Sequence, residues 1–175
     1  TDSGIPLRLL NSFHPARAGT RIVPDPTPAR LDGPAIISSG GLALIAVGSP
    51  DNRWSLPLSA RMIQRLSDTG TDVRMFSQPL VEHSLQVVVP AEDRAHCLTV
   101  WRRELDALPL GGPYTLESRE QAATVAVVGL SGHPDGIVGR AFAALGRLGV
   151  RVVAVAQTPT GDSVAFCIPE EQRPA

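Results

Sequence analysis

The chain carries one phrase twice. Met75 to Glu92 reads MFSQPLVEHSLQVVVPAE and Val153 to Glu171 reads VAVAQTPTGDSVAFCIPEE: an apolar strand, a Gln, a turn with Pro, a Ser, a second apolar strand, then Pro and acid. Registering Gln78 on Gln157 gives an offset of 79 residues, at which Gly70 meets Gly149, Ser84 meets Ser163 and Pro90 meets Pro169. A duplication constrains the fold more than any single residue, because both copies must build the same unit. The copies differ in length by two residues, between VGSPDNRWSLPLSARMIQRLSDTG and VGLSGHPDGIVGRAFAALGRLG. That slack falls in the loop entering a helix, where insertions cost least.

Each copy predicts β-α-β-β. It opens on a short apolar run, LALIAVG from Leu42 or TVAVVGL from Thr124, too short and too β-branched to prefer a helix. A helix follows. In the first copy Leu58, Met62, Ile63 and Leu66 recur at helical spacing behind Ser55 as N-cap and Pro57; in the second Ile137, Ala141, Leu145 and Leu148 do so behind Asp135. Gly70 and Gly149 stop these helices. Only the first copy continues into a further helix, Ala91 to Leu105, with Ala95, Leu98, Trp101 and Leu105 on one face. The second reaches PEEQRPA without that helix, so one stretch of its sheet is expected to be bare. A strand-like run, GPAIISSGG from Gly33, precedes the first copy, and PDPTPARLDGP from Pro24 reads as a linker. Before it, IPLRLLNSFHPARAGTRIV predicts two short strands around a turn.

Composition bounds the partners. At 43% apolar and 19% charged, 175 residues can bury a core as one domain or two small ones. The formal net charge of −1 removes the electrostatic case for nucleic acid or an anionic membrane, and 4% aromatics disfavours RNA stacking. No stretch approaches the roughly 18 apolar residues of a membrane span, and the first residues lack a leader pattern. Cys97 and Cys167 are expected to be reduced core thiols, and the cytoplasm is the expected location. Thr1 fits either a processed start or a cut from a longer chain.

These phrases carry a resemblance. A β-α-β-β unit with a Gly-rich first loop and a Gly closing its helix resembles the ACT domain, a small ferredoxin-like module that commonly binds amino acids. SQPLVEHSLQVVVP and VAQTPTGDSVAFCIPEE together look like the tandem ACT domains in the regulatory half of aspartate kinases, and GIPLRLLNSFHPARAGTRI is similar to the last strands of their kinase domain, with NSFHP at the family's Asn-Thr-Phe-Asn-Pro. The resemblance implies an α+β fold of two βαββ units, their antiparallel sheets covered by helices. Residues 1–32 would then be the end of a kinase domain and linker, 33–41 a strand completing the second unit, 42–112 the first unit and 113–175 the second. The family's Lys-Phe-Gly-Gly phosphate motif has no counterpart in this sequence, nor is there a G-x-x-x-x-G-K-[ST] loop, so no phosphoryl transfer and no cofactor are expected.

An amino-acid ligand needs backbone N–H and C=O groups, an amide, and an acid or hydroxyl in one pocket. The strand-to-helix loops offer Ser49, Asp51 and Asn52 in the first unit and Ser131, His133 and Asp135 in the second, where helix N-termini favour a carboxylate. Asp135 has the helix cap as its bland alternative. Gln78 and Gln157 end their second strands beside these loops, and a strand-terminal Gln is often merely solvated. The resemblance carries both over as effector contacts. Turn residues Glu82, His83, Ser84, Asp162 and Ser163 can meet an ammonium or serve only the turns. Neither loop His has a second ligand at metal spacing, so no metal is expected. Trp54 reads as a pocket filler or an interface aromatic.

The first reading is therefore a noncatalytic amino-acid-binding module of aspartate-kinase type, with lysine or threonine as the effectors the family implies. A homodimer is expected, or a kinase subunit acted on in trans. The rival is an ACT protein reused as a small enzyme, with a pocket between its units and Glu82, His83, His133 or Asp135 as acid or base; a third is a dimerisation module without a ligand.

Overall fold

The computed structural model describes residues 7–22, 34–51, 54–79, 83–108, 113–129, 136–159, 161 and 163–173. Two units separate, Thr1–Asp32 and Gly33–Ala175. In the first, β1 (Leu7–Leu9) and β2 (Thr20–Ile22) form an antiparallel ribbon with Leu7 opposite Ile22, as the sequence predicts. Every residue of both strands is exposed, consistent with a ribbon that has no core of its own. The Pro-rich linker falls outside the described residues.

The second unit runs β3 (Ala35–Gly48), α1 (Leu56–Asp68), β4 (Met75–Ser77), β5 (Ser84–Pro90), α2 (Arg94–Asp106), β6 (Thr115–Val128), α3 (Ile137–Arg147), β7 (Ala154–Gln157) and β8 (Ser163–Pro169). All six of its strands join one antiparallel sheet in the order β4-β5-β3-β6-β8-β7. The fold is α+β, with βαββ ACT-like units in tandem. The two central strands are longer than the sequence runs suggest. AIISSGG, from the first of these runs, and LALIAVG form one strand of 14 residues, and the strand expected from Thr124 already starts at Thr115. Leu42–Gly48 lies between β5 and the first half of β6, while Ala35–Ser39 pairs with Thr124–Val128, whose other side carries β8.

Midway, both long strands break register. The pairing shifts between Ser39 and Leu44, where Gly41 has φ 69° and, on the facing strand, Gln121 has φ 63°. Before the break Ile36 shares a face with its partner Val127; after it Ala43, Ile45 and Val47 turn the same way. The side-chain phase has flipped from even to odd, the effect of an irregular insertion in a strand. Gly41 suits the left-handed backbone, and at Gly40 a Cβ would meet the carboxylate of Glu170, which accepts the Gly41 N–H at 3.0 Å.

The helices therefore stay on one side of the sheet. Ala43, Ile45, Val47, Leu85, Val87 and Val89 pack beneath α1 and α2, and Val125, Val127, Val164, Phe166 and Ile168 beneath α3. Phe142 of α3 meets Phe166 edge to face, centroids 5.0 Å apart. On the opposite side Leu42, Leu44 and Val88 pack with Met75 of β4, Ala154 of β7 and Cys167 of β8. Because β4 and β7 are the two edges of the sheet, this contact means that it curls.

Both helix stops form as expected. Gly70 and Gly149, at φ 73° and 67°, close reciprocal pairs of hydrogen bonds, Gly70 N–H to Ser67 O with Thr71 N–H to Leu66 O, and Gly149 N–H to Gly146 O with Val150 N–H to Leu145 O. The starts differ. Ser55 occupies the N-cap position but makes no side-chain cap bond, and Gly136 rather than Asp135 precedes α3. Two apolar assignments are corrected: Ala95 is exposed while Cys97 and Glu104 join Trp101 and Leu105 inside, and Leu148 is exposed because it follows the last turn of α3. Glu104 is tolerated there because Arg61 and Arg65 both donate to it, Arg65 Nε at 2.8 Å. The bare stretch of the second copy is present too, with Ile36 71% exposed on the helix side of its sheet.

Trp54 neither fills a pocket nor faces outward. It is buried at 5% exposure in the α1–α2 core, and its Nε1–H donates to Ser59 Oγ at 2.8 Å. Trp54→Ala is expected to cost about 3–5 kcal/mol in urea unfolding, whereas Leu148→Ala should stay within about 0.5 kcal/mol. Equal, small losses would contradict the burial of Trp54.

Candidate functional site

The curl determines where the repeated Gln residues arrive. Gln78 directly follows β4 and Gln157 ends β7. Since these edge strands lie against each other, both residues border one cleft of about 770 Å³. Ser39 and Thr124, paired across β3 and β6, stand on the same wall, with Phe76, 58% exposed, and Val155 supplying apolar surface. Gln78 is half-buried and Gln157 exposed. Two amides and two hydroxyls beside apolar walls can hydrogen-bond both ends of a small polar molecule.

Two of the other predicted residues lie elsewhere. Ser49 and Ser84 line a second cleft of about 420 Å³, over the half of the sheet formed by β5, Leu42–Gly48 and the first half of β6. Ser49 Oγ donates to the Asp51 carboxylate and lies 3.3 Å from Pro113 O, so this loop is tied to the strand entering from α2. His83, at φ 44°, makes the turn into β5 in a left-handed conformation for which His, like Asn and Asp, is enriched among non-Gly residues. The Ser163 N–H donates to Thr158 Oγ1 at 3.1 Å and closes the β7–β8 turn. Asn52, Glu82, Ser131, His133, Asp135 and Asp162 lie outside the described residues.

Sequence reasoning missed Ser39, Thr124 and Phe76 at the first cleft and Gln86, Glu117 and Arg119 at the second. A period-2 reading of TLESREQAATVAVV as one strand would have placed Glu117 and Arg119 on a common face.

No protein-family model matches the chain. Among curated proteins, the bifunctional aspartokinase/homoserine dehydrogenase of Haemophilus influenzae is 24% identical over 172 residues, 96% of this chain and 21% of that protein. The chain thus spans about a fifth of the length of that relative. Among solved structures, the aspartate kinase of Clostridium acetobutylicum superposes with TM-score 0.75 at 20% identity, covering 97% of this chain and 39% of that one. The ligand-free regulatory subunit of aspartate kinase from Thermus thermophilus gives 0.61 at 23%, covering 78% and 86%. Aspartokinase III of E. coli in complex with lysine and aspartate gives 0.57 at 20%, covering 80% and 31%. The chain resembles the C-terminal regulatory region of aspartate kinases. What these structures share with the chain is the fold.

Neither thiol is placed to act as a nucleophile. Burial pushes Cys167 up to about 11, and burial is also the largest cause raising Cys97, with Asp93 adding and a Thr71 hydrogen bond opposing. Both therefore remain protonated at pH 8, where iodoacetamide should label neither in the folded chain and both in guanidinium. Fast native labelling of either would contradict this packing.

Proposed function

We propose that the chain is a noncatalytic amino-acid-binding regulatory module of aspartate-kinase type. The carrying observation is that Gln78 and Gln157, at one phase of the duplication, border the same cleft with Ser39 and Thr124. The site extends to the turns after these residues, Glu82 and His83 in one copy and Asp162 and Ser163 in the other, which supply acids and hydroxyls for an ammonium. Ser131, His133 and Asp135, near the start of α3, are the counterpart of the Ser49–Asn52 loop. Lysine or a threonine-like amino acid is the effector, in keeping with the lysine held by the E. coli neighbour.

Regulation follows from where the cleft lies. The two edge strands contribute facing parts of its wall and are not paired with each other as strands, so a ligand bridging Gln78 and Gln157 favours the closed curl. Differential affinity for two arrangements couples such a site to a partner by typically ~1–3 kcal/mol. The partner is an aspartate-kinase catalytic domain, in the same polypeptide or in a separate subunit, and the module acts as a homodimer.

A thermal-shift panel of the twenty amino acids tests this. At about a hundredfold excess over Kd, lysine or threonine should raise Tm by about 5–10 °C. Gln157→Ala removes an exposed side chain and should leave the unliganded Tm nearly unchanged while abolishing the rise. No rise with any amino acid, or a full rise in the variant, would reject the reading.

A further inference from the structure

The smaller cleft has a charge arrangement that the protein itself does not use. It is lined on its strand floor by Leu44, Ala46 and Gln86, and at its edge by Glu117 and Arg119 of β6. In register, Glu117 lies opposite Ala46 and Arg119 opposite Leu44, so the two charged residues are alternate positions on the same face. Such positions on a strand are about 6.6–6.8 Å apart. Among the described residues neither has an ion pair or side-chain hydrogen bond, although Arg94 engages the residues that alternate with them, Ser118 at 3.0 Å and Glu120 at 2.8 Å, from the helix side. Across the strands Ser84 also lines the cleft. It is 9% exposed, and its hydroxyl is the buried side-chain polar atom left without a partner among the described residues. Buried polar groups are nearly always satisfied, so an orphan at a cleft wall marks a place where a ligand can donate or accept.

An uncompensated guanidinium and carboxylate, one strand repeat apart, are complementary to a molecule that carries both signs at close separation. The rest of the lining is apolar at Leu44, Ala46, Val47 and Val153 and neutral polar at Ser49, Gln86 and Thr115, and it offers no third charge. The volume, about 420 Å³ against about 770 Å³ for the Gln cleft, suits a short side chain. We propose that this cleft is a second ligand site, for a small α-amino acid with an uncharged side chain, its carboxylate held by Arg119 and its ammonium by Glu117. The proposal uses none of the residues of the Gln78–Gln157 cleft and stands independently of it.

Calorimetric titration of the whole chain with glycine, L-alanine and L-serine tests it. At least one should bind, and Arg119→Gln or Glu117→Gln should each weaken it about tenfold or more, the loss of a charge-assisted bond. Both side chains are exposed, so melting curves of the two variants should overlay that of the parent chain. L-Alaninamide and N-acetyl-L-alanine, each lacking one charge, separate the roles: alaninamide should bind the parent and Arg119→Gln equally, and N-acetylalanine should bind the parent and Glu117→Gln equally. Gln157→Ala should leave alanine affinity unchanged, so the failure of one site is distinguishable from that of the other. Absence of binding by all three amino acids, unaltered affinity in both charge variants, or loss of alanine binding in Gln157→Ala alone would overturn the proposal.

Discussion

The architecture depends on two long strands that change phase at the same place. Antiparallel pairing of β3 with β6 runs from Ala35 opposite Val128 to Gly48 opposite Thr115. Without an interruption, period-2 alternation would send one half's core residues to the wrong side of the sheet, because a shift of one residue exchanges the faces. The irregularity at Gly40, Gly41 and Gln121 resets the count, so Ala43, Ile45 and Val47 and, farther along, Val125 and Val127 all meet helices on one side. Gly41 N–H bonded to Glu170 anchors that break to the turn following β8. One kink thereby joins two copies of a small motif into a single curled sheet.

The curl connects fold to chemistry. It leaves the helix-free side as a concavity in which Leu42, Leu44, Met75, Ala154 and Cys167 form a narrow apolar contact, and the two clefts lie to either side of this contact. One inherits the ends of both edge strands, hence both Gln residues. The other inherits the polar face of β6 with Glu117 and Arg119. A duplication produces the first by symmetry, whereas the second depends on TLESREQ, which has no matching phrase in front of the first copy.

Much of this was legible in the chain. The β-α-β-β order, the stops at Gly70 and Gly149, the N-terminal ribbon and the exposed stretch beside Ile36 follow from periodicity and turn chemistry acting locally. What the sequence hid is what depends on partners far along the chain. Trp54 reads as a loop aromatic until Ser59 and the α1–α2 core are placed around it. The partners that let Glu104 be buried, Arg61 and Arg65, lie 43 and 39 residues before it. The strand character of Thr115–Gln121 is masked because alternating Glu, Ser and Arg show no apolar stripe, one face being open and the other only partly packed. For the site, the repeat phase singled out Gln78 and Gln157, but only the meeting of β4 and β7 separates them from Ser49 and Ser84, which sequence grouped with them.

In the proposed module one ligand engages the two Gln side chains together. Side-chain amide resonances of ¹⁵N-glutamine-labelled protein, assigned with Gln78→Asn and Gln157→Asn, report on each separately during a titration with lysine or threonine. Both should shift with the same midpoint, and replacing either Gln should weaken the response of the other. Resonances that stay fixed at saturation, or that move with different midpoints, would contradict it.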